Sequence, residues 1–273
     1  MPLTERFIGQ LESVLDKVDL YLDIHSPAQI ARWYDIVIAS LEPNLREENY
    51  PSASILMRAG NVEFGRGKRD RALRYYALAM KQSEQEKNVE MSAVVGINLA
   101  HLYIAEQKYE MALRVAEQSV ALATEHECTR PQAAGFLAAG LALKRLTQLA
   151  RSHRMFANAC RIANENGLDD LETRSLMHLS WYDYESGQLD DAVLKLRRAL
   201  DICAITGNTV DQLRAYYNLG LVQADQRDFP SALRSLLRAR EIRDSNNLEY
   251  GDQKIERAIE AVERDLQATE LES

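Results

Sequence analysis

Proline is scarce, with six residues in 273. Few helix breakers leave room for long helices and exclude a proline-rich linker. Cysteine is scarcer: Cys128, Cys160 and Cys203 are the only three. They form no even set and show no metal-ligand spacing, which argues against a disulfide framework or a cysteine zinc site. They read as small buried apolar residues of a reducing compartment. Long apolar runs are missing too. The longest, Ala133–Leu143, falls far short of the ~20 residues of a membrane span. Thr4, Glu5, Arg6 and Gln10 interrupt the N-terminal stretch, so no signal peptide is read there. Positive charge is in deficit: 33 Lys and Arg face 41 Asp and Glu, a net charge of −8. That balance argues against nucleic acid or an anionic membrane as the main partner. The expectation is a cytoplasmic, helix-rich chain, and its 46% hydrophobic content suits a folded core.

Small side chains recur at a fixed interval of 40 residues. Ala72, Ala112, Ser152, Ala192 and Ala232 are one period apart. Gly60, Ala100, Gly140, Ser180 and Gly220 lie twelve residues before them, and Ala79, Ser119, Ala159, Ala199 and Ala239 seven residues after. All fifteen are Gly, Ala or Ser, in a chain where 62 of 273 residues are of those types. An uninterrupted period in the range of roughly 20–50 residues is the mark of a solenoid, whose stacked repeats share one core.

Each period reads as helix, short turn, helix. Ile55 to Phe64 is apolar with helical spacing, Arg66-Gly67-Lys68 is a turn, and Ala72 to Met80 continues. Glu106-Gln107-Lys108, Leu146-Thr147-Gln148, Ser186-Gly187-Gln188 and Asp225-Gln226-Arg227 are the corresponding turns. Pro230 falls in the first turn of a helix, where its missing N–H costs nothing. The Gly60-type and Ala72-type positions are expected where paired helices cross without bulk, at about 8 Å. The Ala79-type position is expected where the next repeat stacks. Residues 1–50 read as two helices forming an N-terminal cap or degenerate repeat, and residues 51–250 as five repeats. Residues 251–273 read as a capping helix, with Ile255, Ile259, Val262 and Leu266 inward and an acidic, frayed end from Ala268.

This pattern resembles the tetratricopeptide repeat. Tyr217-Asn218-Leu219-Gly220 with Ala232 and Ala239 carries the likeness, as do Gly60, Gly67, Ala72, Tyr76 and Ala79. The unit of 40 residues is longer than the commoner 34 and is similar to the repeats of kinesin light chains, spindle-orientation adaptors and bacterial peptide-sensing regulators. HEAT and armadillo repeats share the period but fit the small-residue spacing less well. The resemblance implies an all-α, right-handed superhelical solenoid of helix-turn-helix repeats with helical caps, whose first helices line a concave groove. It also implies protein–protein interaction, with a peptide or helix of a partner docked there. The alternative is a sensor module of a bacterial regulatory system that binds a small effector or signalling peptide.

The period then names candidate partner-binding residues. The sixth position gives Arg58, Asn98, His178 and Asn218, and the ninth Asn61, His101 and Trp181. The second gives Arg174 and Arg214, and the twelfth Lys144 and Tyr184. Asn pairs with a peptide amide through two hydrogen bonds, and Arg forks onto a carboxylate, so the expected ligand is an acidic or carboxylate-bearing peptide. Ala138 and Leu141, in the apolar run, are expected to give the groove a hydrophobic floor. No catalytic site is read. His178, Trp181, Asp183, Tyr184 and Glu185 are close in sequence, but Asp183 falls well round the helix from the histidine. The histidines show no paired zinc spacing, Gly65-Arg66-Gly67-Lys68 lacks the full phosphate-loop pattern, and no cofactor is implied.

Overall fold

The computed structural model describes Ala39, residues 51–248 and residues 252–272. The expected cap over residues 1–50 therefore lies outside the described residues, apart from Ala39. Eleven helices are described, and no strand is found among these residues. They are α1 (Ala53–Gly65), α2 (Arg69–Gln85), α3 (Val89–Ala105), α4 (Tyr109–Glu125), α5 (Thr129–Arg145), α6 (Leu149–Glu165), α7 (Asp169–Glu185), α8 (Leu189–Thr206), α9 (Thr209–Asp225), α10 (Phe229–Ser245) and α11 (Asp252–Glu272).

From α2 to α10 a new helix begins every 20 residues. The 40-residue period is thus made of two helix-turn modules of equal length. The turn sets that spacing. Gly67, Lys87, Gln107, Glu127, Thr147, Gly167, Gly187, Gly207, Arg227 and Asn247 all have positive φ. At the first of them, Lys68 N donates to Glu63 O and Gly67 N to Phe64 O, both at 2.9 Å. This left-handed cap satisfies carbonyls that the helix end leaves open. The same pair of bonds recurs after α2, α3, α4, α5, α6, α7, α9 and α10. Six of the ten left-handed residues are not glycine, so the hydrogen bonds hold a conformation that L side chains disfavour. Side chains start some helices: Asn88 accepts from Met91 N, Asn208 from Asp211 N, and Asp228 from Ser231 N. Pro230 sits in the first turn of α10 as expected. The last turn runs over residues 226–228, one residue later than the sequence reading placed it.

The chain divides into two compact units, residues 1–148 and 149–273. In the first, α1–α2 and α3–α4 are hairpins, and α5 packs on α3 and α4. In the second, α7–α8 and α9–α10 are hairpins, α6 packs on α7, and α11 packs on α10. Within each unit, first helices touch the next first helix (α1 with α3, α3 with α5, α7 with α9), whereas no contact joins the second helices among the described residues. The first helices therefore form the inner side of each stack.

All fifteen periodic small residues are buried. At Gly60 and Gly220 the small residue also faces bulk, and at Gly220 the Ala232 carbonyl oxygen of the paired helix lies 3.2 Å from where a Cβ would sit. A Cβ on Gly60 would sit 2.5 Å from the Tyr76 ring, and one on Gly220 would sit 2.6 Å from Leu236. Glycine here is the hole for a large side chain of the paired helix, which gives a denser contact than two small residues could. Ser152 replaces alanine where its hydroxyl faces Tyr182. Ala138 is fully buried. Helix α5 packs on both α3 and α4, so Ala138 provides no groove floor, whereas Leu141, the other residue expected there, is half-buried. Cysteine burial is also less uniform than expected: Cys203 is buried, but Cys128 and Cys160 are half-buried.

Helix α11 buries Ile255, Ile259 and Val262 against the apolar face of α10, with Leu266 half-buried. It runs through Ala268 to Glu272, and the Thr269 hydroxyl donates to the Asp265 carbonyl within it.

Candidate functional site on the first-helix face

In the first unit, α1, α3 and α5 present Arg58, Asn61, Asn98, His101 and Lys144. Asn61 is exposed, and the others are half-buried. Asn61 is committed to the fold: its Oδ1 accepts the Tyr76 hydroxyl at 2.7 Å. Burial raises the pKa of that phenol, so it remains a neutral donor. Asn98 makes no hydrogen bond among the described residues, so its half-exposed amide is open to a ligand.

In the second unit the geometry is denser. His178 stacks on the buried ring of Phe156, with centroids 4.5 Å apart and planes at 18°. The stack fixes the imidazole against α6. Trp181 stands edge-on to Tyr182 at 4.7 Å. Asp183 is drawn into the hairpin, where Lys195 Nζ lies 2.6 Å from its Oδ2. The apparent histidine–aspartate cluster is thus divided between an aromatic stack and an ion pair of the buried Asp183 with the half-buried Lys195.

Both groove arginines have partners on their own helices. Arg174 Nη2 lies 2.9 Å from Asp170 Oδ2, and Arg214 Nη1 lies 3.2 Å from Asp211 Oδ1. Asp170 and Asp211 sit one turn before their arginines, a spacing at which opposite charges meet on a helix. The sequence carries this signal, although reading the arginines alone misses it.

Between α7 and α9 lies a cavity of about 130 Å³, lined by Met177, Ser180, Trp181, Tyr184, Leu196, Asn218, Leu221 and Val222. Ser180, Leu196 and Val222 are buried, and the other five are half-buried. The structure thus brings Trp181, Tyr184 and Asn218 together. Met177 and Leu196 were not legible as site residues, since helical spacing alone places them in the core. Asn218, like Asn98 at the same repeat position, makes no hydrogen bond among the described residues. Tyr184 donates a short hydrogen bond to Asp225. That bond, helped by partial burial, pushes the phenol up to about 12.

The thiols of the second unit are not activated. Burial pushes Cys203 up to about 11, and burial together with the Glu172 carboxylate raises Cys160. An activated cysteine shows the opposite shift. Among the described residues no cluster of His, Cys, Asp and Glu could hold a metal ion, and no helix is long and apolar enough to cross a membrane.

No protein-family model and no curated relative matches the chain. Solved structures do. A Rap protein complexed with Competence and Sporulation Factor is 14% identical, with a TM-score of 0.71 over 88% of this chain and 66% of that one. Aspartyl phosphate phosphatase F from Bacillus subtilis is 13% identical, with a TM-score of 0.65 over 96% and 79%. A Podosopora anserina putative kinesin light chain with nearly identical TPR-like repeats is 16% identical, with a TM-score of 0.55 over 70% and 94%. Identities this low carry the fold and no activity. The chain has the fold of the tetratricopeptide-like helical repeat proteins.

Proposed function

We propose that this chain is a protein-interaction module that holds a peptide or helix of a partner against the first helices of its repeats. One observation carries the reading: Asn98 and Asn218, at the same position of their repeats, present amides with no hydrogen bond among the described residues. A side-chain amide offers donor and acceptor together, the complement of a peptide group. The first-helix face is the inner side of each stack, where an extended segment meets successive helices. The Rap protein found with Competence and Sporulation Factor shows that a fold of this kind accommodates a ligand. The reading is non-catalytic, and the raised thiol pKa values support it. Three free cysteines favour a reducing location, the cytoplasm.

The test uses a phage-displayed peptide library panned on the full chain. Selected peptides are titrated against the wild type, Asn98→Ala and Asn218→Ala, with melting curves in parallel. Each substitution removes a neutral hydrogen bond worth about 1 kcal/mol, or about fivefold in affinity. Melting temperatures should not change, because neither amide is bonded among the described residues. Failure to select any peptide, or binding indifferent to both asparagines, would overturn the reading.

A further inference from the structure

The cup between α7 and α9 has a size, a wall chemistry and a charge state, and together they select an occupant. Its volume is about 130 Å³. An apolar cavity of about 150 Å³ takes up one benzene ring. Leu196 and Val222 are buried in its wall, and Met177, Trp181 and Leu221 are half-buried around them. A thioether and an indole are polarizable surfaces that suit an aromatic ring. Of the charged groups on either side, Arg174 pairs with Asp170, Asp183 with Lys195 and Arg214 with Asp211, while the Asp225 carboxylate accepts the Tyr184 hydroxyl and keeps its negative charge. A carboxylate entering the cup would lose water, meet the negative charge of Asp225 and find both arginines already paired. The polar group left open is the neutral amide of Asn218.

We infer that the cup is a specificity pocket that takes one phenylalanine side chain of a bound peptide, with the peptide group of that residue paired to Asn218. The inference rests on the peptide-holding reading above. It adds which residue type is read, where it is read, and that the recognition is uncharged.

The probes are N-acetyl-phenylalanine amide, N-acetyl-leucine amide, N-acetyl-glutamate amide and N-acetyl-glycine amide, added to full chain carrying ¹⁵N-labelled tryptophan. The sequence has two tryptophans, Trp33 and Trp181, and Trp181→Phe assigns their indole signals. The phenylalanine amide should shift the Trp181 indole signal saturably. The leucine amide should do so more weakly, and the glutamate and glycine amides at least about tenfold more weakly, the difference that burying an apolar side chain makes. Leu221→Trp, which fills the cup, should abolish the phenylalanine response, and its melting curve reports whether the fold is kept. Asn218→Ala, made at a surface amide, should weaken the phenylalanine amide about fivefold. A glutamate response equal to the phenylalanine response overturns the inference. So does a phenylalanine response that survives Leu221→Trp, or no saturable response at all. Library peptides that need Asn98 and Asn218 but carry no aromatic residue would sink the pocket and leave the peptide groove standing. If no peptide is selected while the phenylalanine amide still fills the cup, the groove reading fails and the pocket remains.

Discussion

Gly60→Ala and Gly65→Ala make the same chemical change five residues apart in one helix, and the structure gives them opposite signs. In a helix, alanine is favoured over glycine by about 0.5–1 kcal/mol, because it loses less backbone entropy on folding. At Gly65, the last residue of α1, nothing lies within 4 Å of the added carbon, so alanine meets no clash and the interior-helix gain is its upper bound. At Gly60 the added carbon would lie 2.5 and 2.6 Å from two ring carbons of Tyr76 and 3.2 Å from a third. Tyr76 is 1% exposed, so the ring has no free volume to enter. Overpacking of this kind costs about 1–3 kcal/mol. Moving the ring also strains its 2.7 Å hydrogen bond to Asn61, worth about 0.5–1.5 kcal/mol. The net expectation is destabilisation by about 1–3 kcal/mol at Gly60 and stabilisation by at most about 0.5–1 kcal/mol at Gly65. For a chain of this size each kcal/mol moves the melting temperature by about 2–4 °C. Circular dichroism melts of the two variants beside the parent decide the matter. A Gly60→Ala protein that melts with or above the parent refutes the close-packed crossing between α1 and α2. A Gly65→Ala protein that melts below it refutes the open helix end.

Tyr184 ionises near pH 12 when folded and near 10 when unfolded, so its contribution to stability is whole below pH 10 and is lost as pH rises from 10 to about 12. Melts at pH 8 and pH 11 should show a smaller loss for Asp225→Asn than for the wild type, and equal losses would contradict the hydrogen bond. Deletion of residues 252–273 uncovers Leu213, Leu236 and Ile242, which pack with Ile255, Ile259 and Val262, and the shortened chain should self-associate in sedimentation; a monodisperse chain of unchanged stability would show that α11 is a tail. Asp170→Asn frees Arg174 from its partner, so an acidic variant of a selected peptide should gain about fivefold in affinity at low salt and lose the gain at high salt. An unchanged affinity would place the ligand away from α7.

The parts of the fold legible in the sequence were those set by sterics at single positions. Gly60, Ala72 and Ala79 and their counterparts mark where helices approach, and all are buried. The equal 20-residue modules were less legible. Their common element is a left-handed backbone at one turn position, and the residues holding it are Gly, Lys, Gln, Glu, Thr, Arg and Asn. Backbone hydrogen bonds maintain that conformation whatever the side chain, so composition does not mark it. The size complementarity of Gly60 with Tyr76 and of Gly220 with Leu236 was also hidden, because each pair is 16 residues apart, on two different helices.

Repeat position says which way a side chain points and nothing about what already occupies it. Asn61, at the ninth position, and Asn98 and Asn218, at the sixth, are all assigned to the first-helix face by the sequence. Tyr76, fifteen residues away, takes the acceptor of Asn61, and no comparable group among the described residues reaches Asn98 or Asn218. His178 and Trp181 share a helix face, yet Phe156 on the preceding helix claims the imidazole, whereas Trp181 remains on the wall of the cup. Arg174 and Arg214 look like sites for acidic ligands until their own aspartates are counted. A paired guanidinium has to give up one carboxylate before it binds another, so the exchange gains little. An unbonded amide gives up only water. On the proposed reading, what this face offers a ligand is therefore its neutral amides and the apolar cup between α7 and α9, while the Asp183–Lys195 pair ties α7 to α8.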